Sequence, residues 1–111
     1  MNKEKRRRLE KAGWKVGNAA DFLDLSLAEA RFVELKLALA HGLRVRREEE
    51  GLTQQEVARR MGSSQSRVAK MEAADSSVSI DLLVRALLTL GATRAEVARL
   101  VRAGRPEVHA A

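Results

Sequence analysis

The chain has 111 residues, carries 21 Lys and Arg against 15 acids, and has a net charge of +6 with a pI near 10.5. That length allows one modest core, and that charge suits a polyanionic partner, nucleic acid before membrane surface. There is no cysteine, which excludes a disulfide framework and a thiolate metal site, and no apolar run approaches the roughly 20 residues a membrane helix needs.

Tyr is absent, only two Phe and one Trp occur, and the abundant Ala, Leu, Arg and Glu favour helix, so an all-α fold is expected. The chain opens on Lys3, Lys5, Arg6, Arg7, Arg8, Lys11 and Lys15 with only Glu4 and Glu10 between them. Such a run is either a solvated tail or an arm that contacts phosphates, with Lys5, Arg6, Arg7 and Arg8 at its centre. Leu9-Glu10-Lys11 follows it in place of an apolar stretch, which argues against a secretory signal and for the cytoplasm of a bacterium-like cell.

Gly13 and Gly17 break the chain around Trp14 and Val16. A short helix from Asn18 is expected next, carrying Phe22, Leu23 and Leu25. Ser26 with Glu29 then has the form of a capping box opening a second helix, which runs to Glu50. Ala28, Phe32, Leu35, Leu39 and Leu43 repeat at steps of three and four, and Val33, Leu37 and Ala40 widen that apolar face. Gly42 is a candidate bend, and Gly51 is expected to end the helix in the left-handed conformation. Further helix starts lie at Thr53 (Glu56 third after it), at Ser79 before Ile80–Leu90, and at Thr93 with Glu96. Gly91 closes the segment from Ser79, and Gly104 and Pro106 close the last helix, leaving 105–111 as a tail.

Residues 51–72 are the informative stretch. Val57, Ala58 and Met61 give the helix from Thr53 one buried side, and Gly62 lets the chain reverse with φ > 0. Ser64 can cap the next helix, which buries Val68 and Met71. Two short helices joined by a glycine turn form the helix-turn-helix unit. Gln65, Ser66, Arg67, Ala69 and Lys70 remain on the outer side, where no acid interrupts them. Glutamine can pair with adenine, arginine or lysine with guanine, and serine with base or phosphate, although a polar outer face is in itself ordinary.

The register Gly51-Leu52-Thr53-Gln54, Val57-Ala58, Met61-Gly62, Ser64, Val68, Lys70-Met71-Glu72 resembles the Cro/cI-type helix-turn-helix of XRE-family regulators. The resemblance continues through Val78-Ser79-Ile80-Asp81-Leu82-Leu83 and Ala86-Leu87-Leu90-Gly91. It implies a five-helix, lambda-repressor-like DNA-binding domain over residues 26–104, preceded by a basic arm and short helical extension over 1–25. It also implies a DNA-binding set of Gln54, Ser64, Gln65, Ser66, Arg67 and Lys70, with Gln54 on a phosphate and Glu72 in a structural ion pair with Arg47. Two residues depart from the pattern. Ala74 stands where glycine is usual after the recognition helix, which puts the shape of that loop in question. Arg46 stands at a common leucine position, which bears on how the first helix sits on the core.

The flanks Gly13-Trp14-Lys15-Val16-Gly17, Asp21–Ser26 and Glu34–Ala40 resemble HigA-like antitoxins. That resemblance implies a homodimer that represses its own operon at a pseudo-palindromic site and neutralises a RelE/ParE-like (HigB-type) toxin. Trp14 and Phe22 are the candidate contacts for such a partner, and packing against the long helix is the alternative for the aromatics. A stand-alone regulator and a bridging factor that reads no bases are the other classes.

Enzyme chemistry has no support in the residues. His41 and His109 are isolated, and Glu48-Glu49-Glu50 reads as a solvated helix end. Ser63, Ser64 and Ser66 have no activating base in sight. No cofactor or metal is expected.

Overall fold

A computed structural model describes the backbone of residues 19–104 and the side chains of 26–104. The basic arm with Lys5, Arg6, Arg7 and Arg8, Trp14 and the tail after Gly104 lie outside the described residues, as does the side chain of Phe22. Five helices and no strand occur among the described residues. They are α1 (Ala19–Glu49), α2 (Gln54–Met61), α3 (Gln65–Glu72), α4 (Ile80–Thr89) and α5 (Arg94–Ala103). The all-α, five-helix expectation holds, with α2 and α3 as the helix-turn-helix pair.

One start signal misled. No helix begins at Ser26, because α1 runs unbroken from Ala19 through it. A cap residue must leave helical backbone geometry, and the Ala-Ala-Asp-Phe-Leu-Asp-Leu run before Ser26 contains no glycine or proline to end a helix. The expected extension helix and the first domain helix are therefore one.

The chain divides into two units, Met1–Val33 and Glu34–Ala111. In the first, Leu27, Phe32 and Val33 are 53%, 54% and 51% exposed, so the apolar stripe expected to be core from Ala28 onward is bare at that end. In the second unit burial on α1 begins at Ala38, and Leu39, Ala40 and Leu43 join Val57, Ala58, Val68, Met71, Val78, Leu83, Ala86, Leu87, Leu90 and Ala92 in one core. Each large side chain in it contributes roughly 1.5–3 kcal/mol by leaving water.

Gly42 lies within the continuous α1 and brings it against α5. A Cβ there would run into the Leu100 side chain, closer than atoms pack. Arg46 does not unsettle α1. Its Nε donates to the Leu90 carbonyl at 2.9 Å and its Nη1 to Glu96 at 2.5 Å, which ties α1 to the α4 end and to α5.

The ends of α1 to α4 share one device, in which a residue with positive φ lets two successive N–H groups fold back onto carbonyls the helix leaves unpaired. At α2 the bonds are Ser63 N to Ala58 O at 2.8 Å and Gly62 N to Arg59 O at 3.2 Å, with Gly62 at φ +65°. Gly51 and Gly91 hold the same place after α1 and α4, and Ala74, at φ +53°, holds it after α3.

Candidate nucleic-acid interface

The local chemistry of α2 and α3 follows the sequence closely. The Thr53 hydroxyl accepts from Glu56 N at 3.1 Å while the Glu56 carboxylate accepts from Thr53 N at 3.0 Å, a complete capping box. The bond from Thr53 N, helped by the Thr53 hydroxyl, holds the Glu56 carboxyl below the usual carboxylate range. Ser64 caps α3 through its hydroxyl, which accepts from Arg67 N at 3.2 Å.

Helix α3 has eight residues, little more than two turns. Val68 and Met71 are fully buried against Val57 and Ala58 of α2 and the rest of the core. This fixes the opposite side outward. Ser64, Gln65, Ser66, Arg67 and Lys70 are all exposed, while Ala69 is half-buried. The structure thus brings four of the residues singled out on α3 to one solvent-facing surface without an acid among them.

Gln54, the first residue of α2, is half-buried and already engaged. Its Oε1 accepts from Gln65 Nε2 at 2.7 Å, and its own Nε2 donates to Glu72 Oε1 at 3.1 Å. Glu72 forms the ion pair with Arg47 that the resemblance implies. Arg47 Nε lies 2.5 Å from Oε2 and Nη2 3.1 Å from Oε1, a two-pronged contact. The third nitrogen, Nη1, donates to the Leu52 carbonyl at 2.9 Å. The hydrogen bonds that Arg47 donates to Glu72 outweigh the cost of burial and raise the Arg47 pKa further above its ordinary value. An unbroken polar chain therefore runs from α1 through Glu72 and Gln54 to Gln65.

The loop after α3 keeps the geometry a glycine would give, although Ala74 holds the place. Asp75 N donates to Lys70 O and Ala74 N to Met71 O, at 3.0 and 3.1 Å. Asp75 then organises the turn, since its Oδ2 accepts from Ser77 N at 2.9 Å and Ser77 Oγ at 2.5 Å. Its carbonyl accepts from Val78 N at 3.0 Å and from Lys36 Nζ at 2.8 Å. The Ser77 bonds, with smaller help from the charges of Lys70 and Lys36, hold the Asp75 carboxyl below its ordinary value.

Sequence reasoning missed Lys36, whose reach to a carbonyl 39 residues away has no local signal. It also missed the contact between Gln54 and Gln65, which needs the angle between two helices. The Asp75-Ser76-Ser77 run did carry a signal, because an aspartate two residues before a serine commonly folds back on that residue's N–H. No cluster of three metal-binding side chains occurs among the described residues, and none of their helices is long and apolar enough to cross a membrane.

Compared with protein families, residues 38–100 match the model described as a helix-turn-helix domain, more than half of the chain. The chain belongs to the helix-turn-helix family of DNA-binding regulators. No curated protein and no solved structure matches it.

Proposed function

We propose that this protein is a transcriptional repressor that reads duplex DNA by sequence, binding as a homodimer to a pseudo-palindromic operator. The observation that carries this reading is the exposed, acid-free face of α3, held outward by the burial of Val68 and Met71. Gln65, Ser66, Arg67 and Lys70 would meet base edges and backbone in the major groove, with Gln54 and Ser64 beside phosphates. Lys5, Arg6, Arg7 and Arg8 would add phosphate contacts outside the groove. Paired recognition helices would set half-site centres about 34 Å apart or a multiple of that.

In the finer form of the proposal, the repressor is the antitoxin of a type II pair that regulates its own operon. Support comes from the likeness of its flanks to HigA-like antitoxins and from Leu27, Phe32 and Val33, more than half exposed in the first unit. Those side chains suit a protein partner better than DNA, and Trp14 and Phe22 would extend that contact toward a RelE/ParE-like (HigB-type) toxin. Expression beside the adjacent reading frame tests this role. Growth arrest by that neighbour, relieved by this chain and not by a Phe32→Glu variant, is the expected result. A harmless neighbour leaves a stand-alone regulator.

The DNA-reading role is tested by selection from random duplexes, followed by binding measured against salt. A defined preferred sequence is expected, with Arg67→Ala relaxing preference at one base pair by roughly 1–3 kcal/mol. Equal binding to all sequences would instead indicate a bridging factor.

A further inference from the structure

We propose that the cleft between α1, α4 and α5 binds a short apolar peptide with free ends, a role separate from the DNA-reading face. The cleft has a volume of about 320 Å³, at the lower end of the range for small-ligand sites. Val45, Leu87, Ala92 and Leu100 give it an apolar lining, with Leu87 and Ala92 buried and Val45 and Leu100 half-buried. Arg46 and Glu96 also line it, but they bond each other and their charges cancel. Glu49 and Arg99 are different. Both line the cleft and are exposed, and their side chains make no hydrogen bond or ion pair with each other or with any other described residue. One unpaired charge of each sign thus borders a single apolar surface.

The two helices pass each other in opposite directions. Gly42 meets Leu100, and one turn further along α1 Arg46 meets Glu96, one turn earlier on α5. Continued in that order, Glu49 falls at one end of the cleft and Arg99 toward the other, roughly 9 Å apart along the helices. One α-amino acid is too short for that gap, since a single residue spans about 3.5 Å. Two extended residues span about 7 Å, and the Glu49 and Arg99 side chains can reach the remainder. A dipeptide would put its ammonium on Glu49 and its carboxylate on Arg99, whose guanidinium can take both oxygens. Its side chains would displace water from the four apolar residues. An apolar anion would leave Glu49 without a counter-charge and an apolar amine would leave Arg99 so, whereas a zwitterion satisfies both.

The test is calorimetric titration of the full chain with leucyl-leucine. A dissociation constant of about 1 mM or tighter is expected for a ligand of this size, with a raised unfolding midpoint. Acetylating its amine or amidating its carboxylate should each weaken binding about threefold, the scale of one exposed ion pair. Glu49→Gln and Arg99→Gln should do the same while leaving unfolding without peptide unchanged, because neither side chain has a partner to lose. The assignment of ends is read from the pairs. The acetylated peptide should be indifferent to Glu49→Gln yet still respond to Arg99→Gln, and the amidated peptide the reverse. No binding at millimolar peptide overturns the proposal, including the case in which residues 105–111 or a second copy already fill the cleft. Equal binding of glycyl-glycine, or losses that do not follow the capped end, overturn it as well. None of these outcomes bears on the DNA-reading role.

Discussion

Ala74 holds a left-handed backbone at φ +53° in a place where the same bonds elsewhere in the chain are made by glycine. The Cβ of an L-residue there crowds the following carbonyl, at roughly 1–2 kcal/mol, while glycine carries more chain entropy into the unfolded state, worth about 0.4–1 kcal/mol. Ala74→Gly should therefore stabilise the fold by about 0.5–1 kcal/mol, read as a higher denaturant midpoint at constant slope. No gain would mean that the Lys36 and Ser77 bonds around Asp75, and not the backbone angle, decide the loop. Neighbouring Asp75 contributes in a pH-dependent way. Its carboxyl titrates below the ordinary range because Ser77 donates to it, so its contribution is present above about pH 4 and is lost as pH falls through the lowered value. Asp75→Asn should flatten that part of the acid unfolding profile, followed by helical signal against pH.

At the scale of the element, α3 is too short to persist alone. Its eight residues stay helical because Ser64 caps one end and two side chains, Val68 and Met71, enter the core. Met71→Ala should cost about 2–5 kcal/mol in chemical unfolding, since it empties fully buried volume. The Arg47–Glu72 pair is a second tie, from α1 to α3, with side-chain exposures of 15% and 6%. Losing Arg47 alone leaves Glu72 buried without its counter-charge, so Arg47→Met should cost about 3–5 kcal/mol, and Arg47→Met with Glu72→Met clearly less. A double variant no better than the single would show that the pair is worth more than its desolvation costs.

Much of this level was legible in the residues. Thr53, Ser64 and Ser79 are local signals, since a cap acts within three residues of itself, and the structure places each as read. Ser26 failed for the complementary reason: a start signal has no force where nothing ends the preceding helix. Phe32 and Leu39 lie seven residues apart in the same periodic stripe, yet one is 54% and the other 1% exposed. Periodicity shows which residues share a face, and only tertiary packing decides how far along a helix that face is covered. The face of α3 was likewise legible, whereas its connection to Glu72 depends on a helix crossing that no spacing reveals.

For the molecule as a whole, charge is the coarse variable. Seven basic residues in the first fifteen leave a local charge of +5 out of the chain's +6, so most of the attraction for a polyanion would reside in the arm. Deleting Met1–Arg8 should make the fall of DNA affinity with salt shallower, because fewer counterions are released for each complex formed. An identical slope would make the arm a solubility tail. The fold itself is exposed to acid at more than Asp75. Glu56 and Glu96 are also held below the usual carboxylate range, by Thr53 and by Arg46 respectively. All three therefore stabilise the native state from about pH 4 upward and withdraw that support as they protonate.

The division of labour within α3 bears on how such a protein can change. Ser66, Arg67 and Lys70 offer their side chains to solvent and make no side-chain hydrogen bond or ion pair among the described residues, while Val68 and Met71 on the opposite side do the folding. Substitutions at those three outward positions are therefore nearly free of stability cost. Under the DNA-reading role proposed above, a lineage carrying this domain could acquire a new operator through a few such exchanges, each intermediate still folded. Gln65 is the exception, because its partner Gln54 would have to change with it.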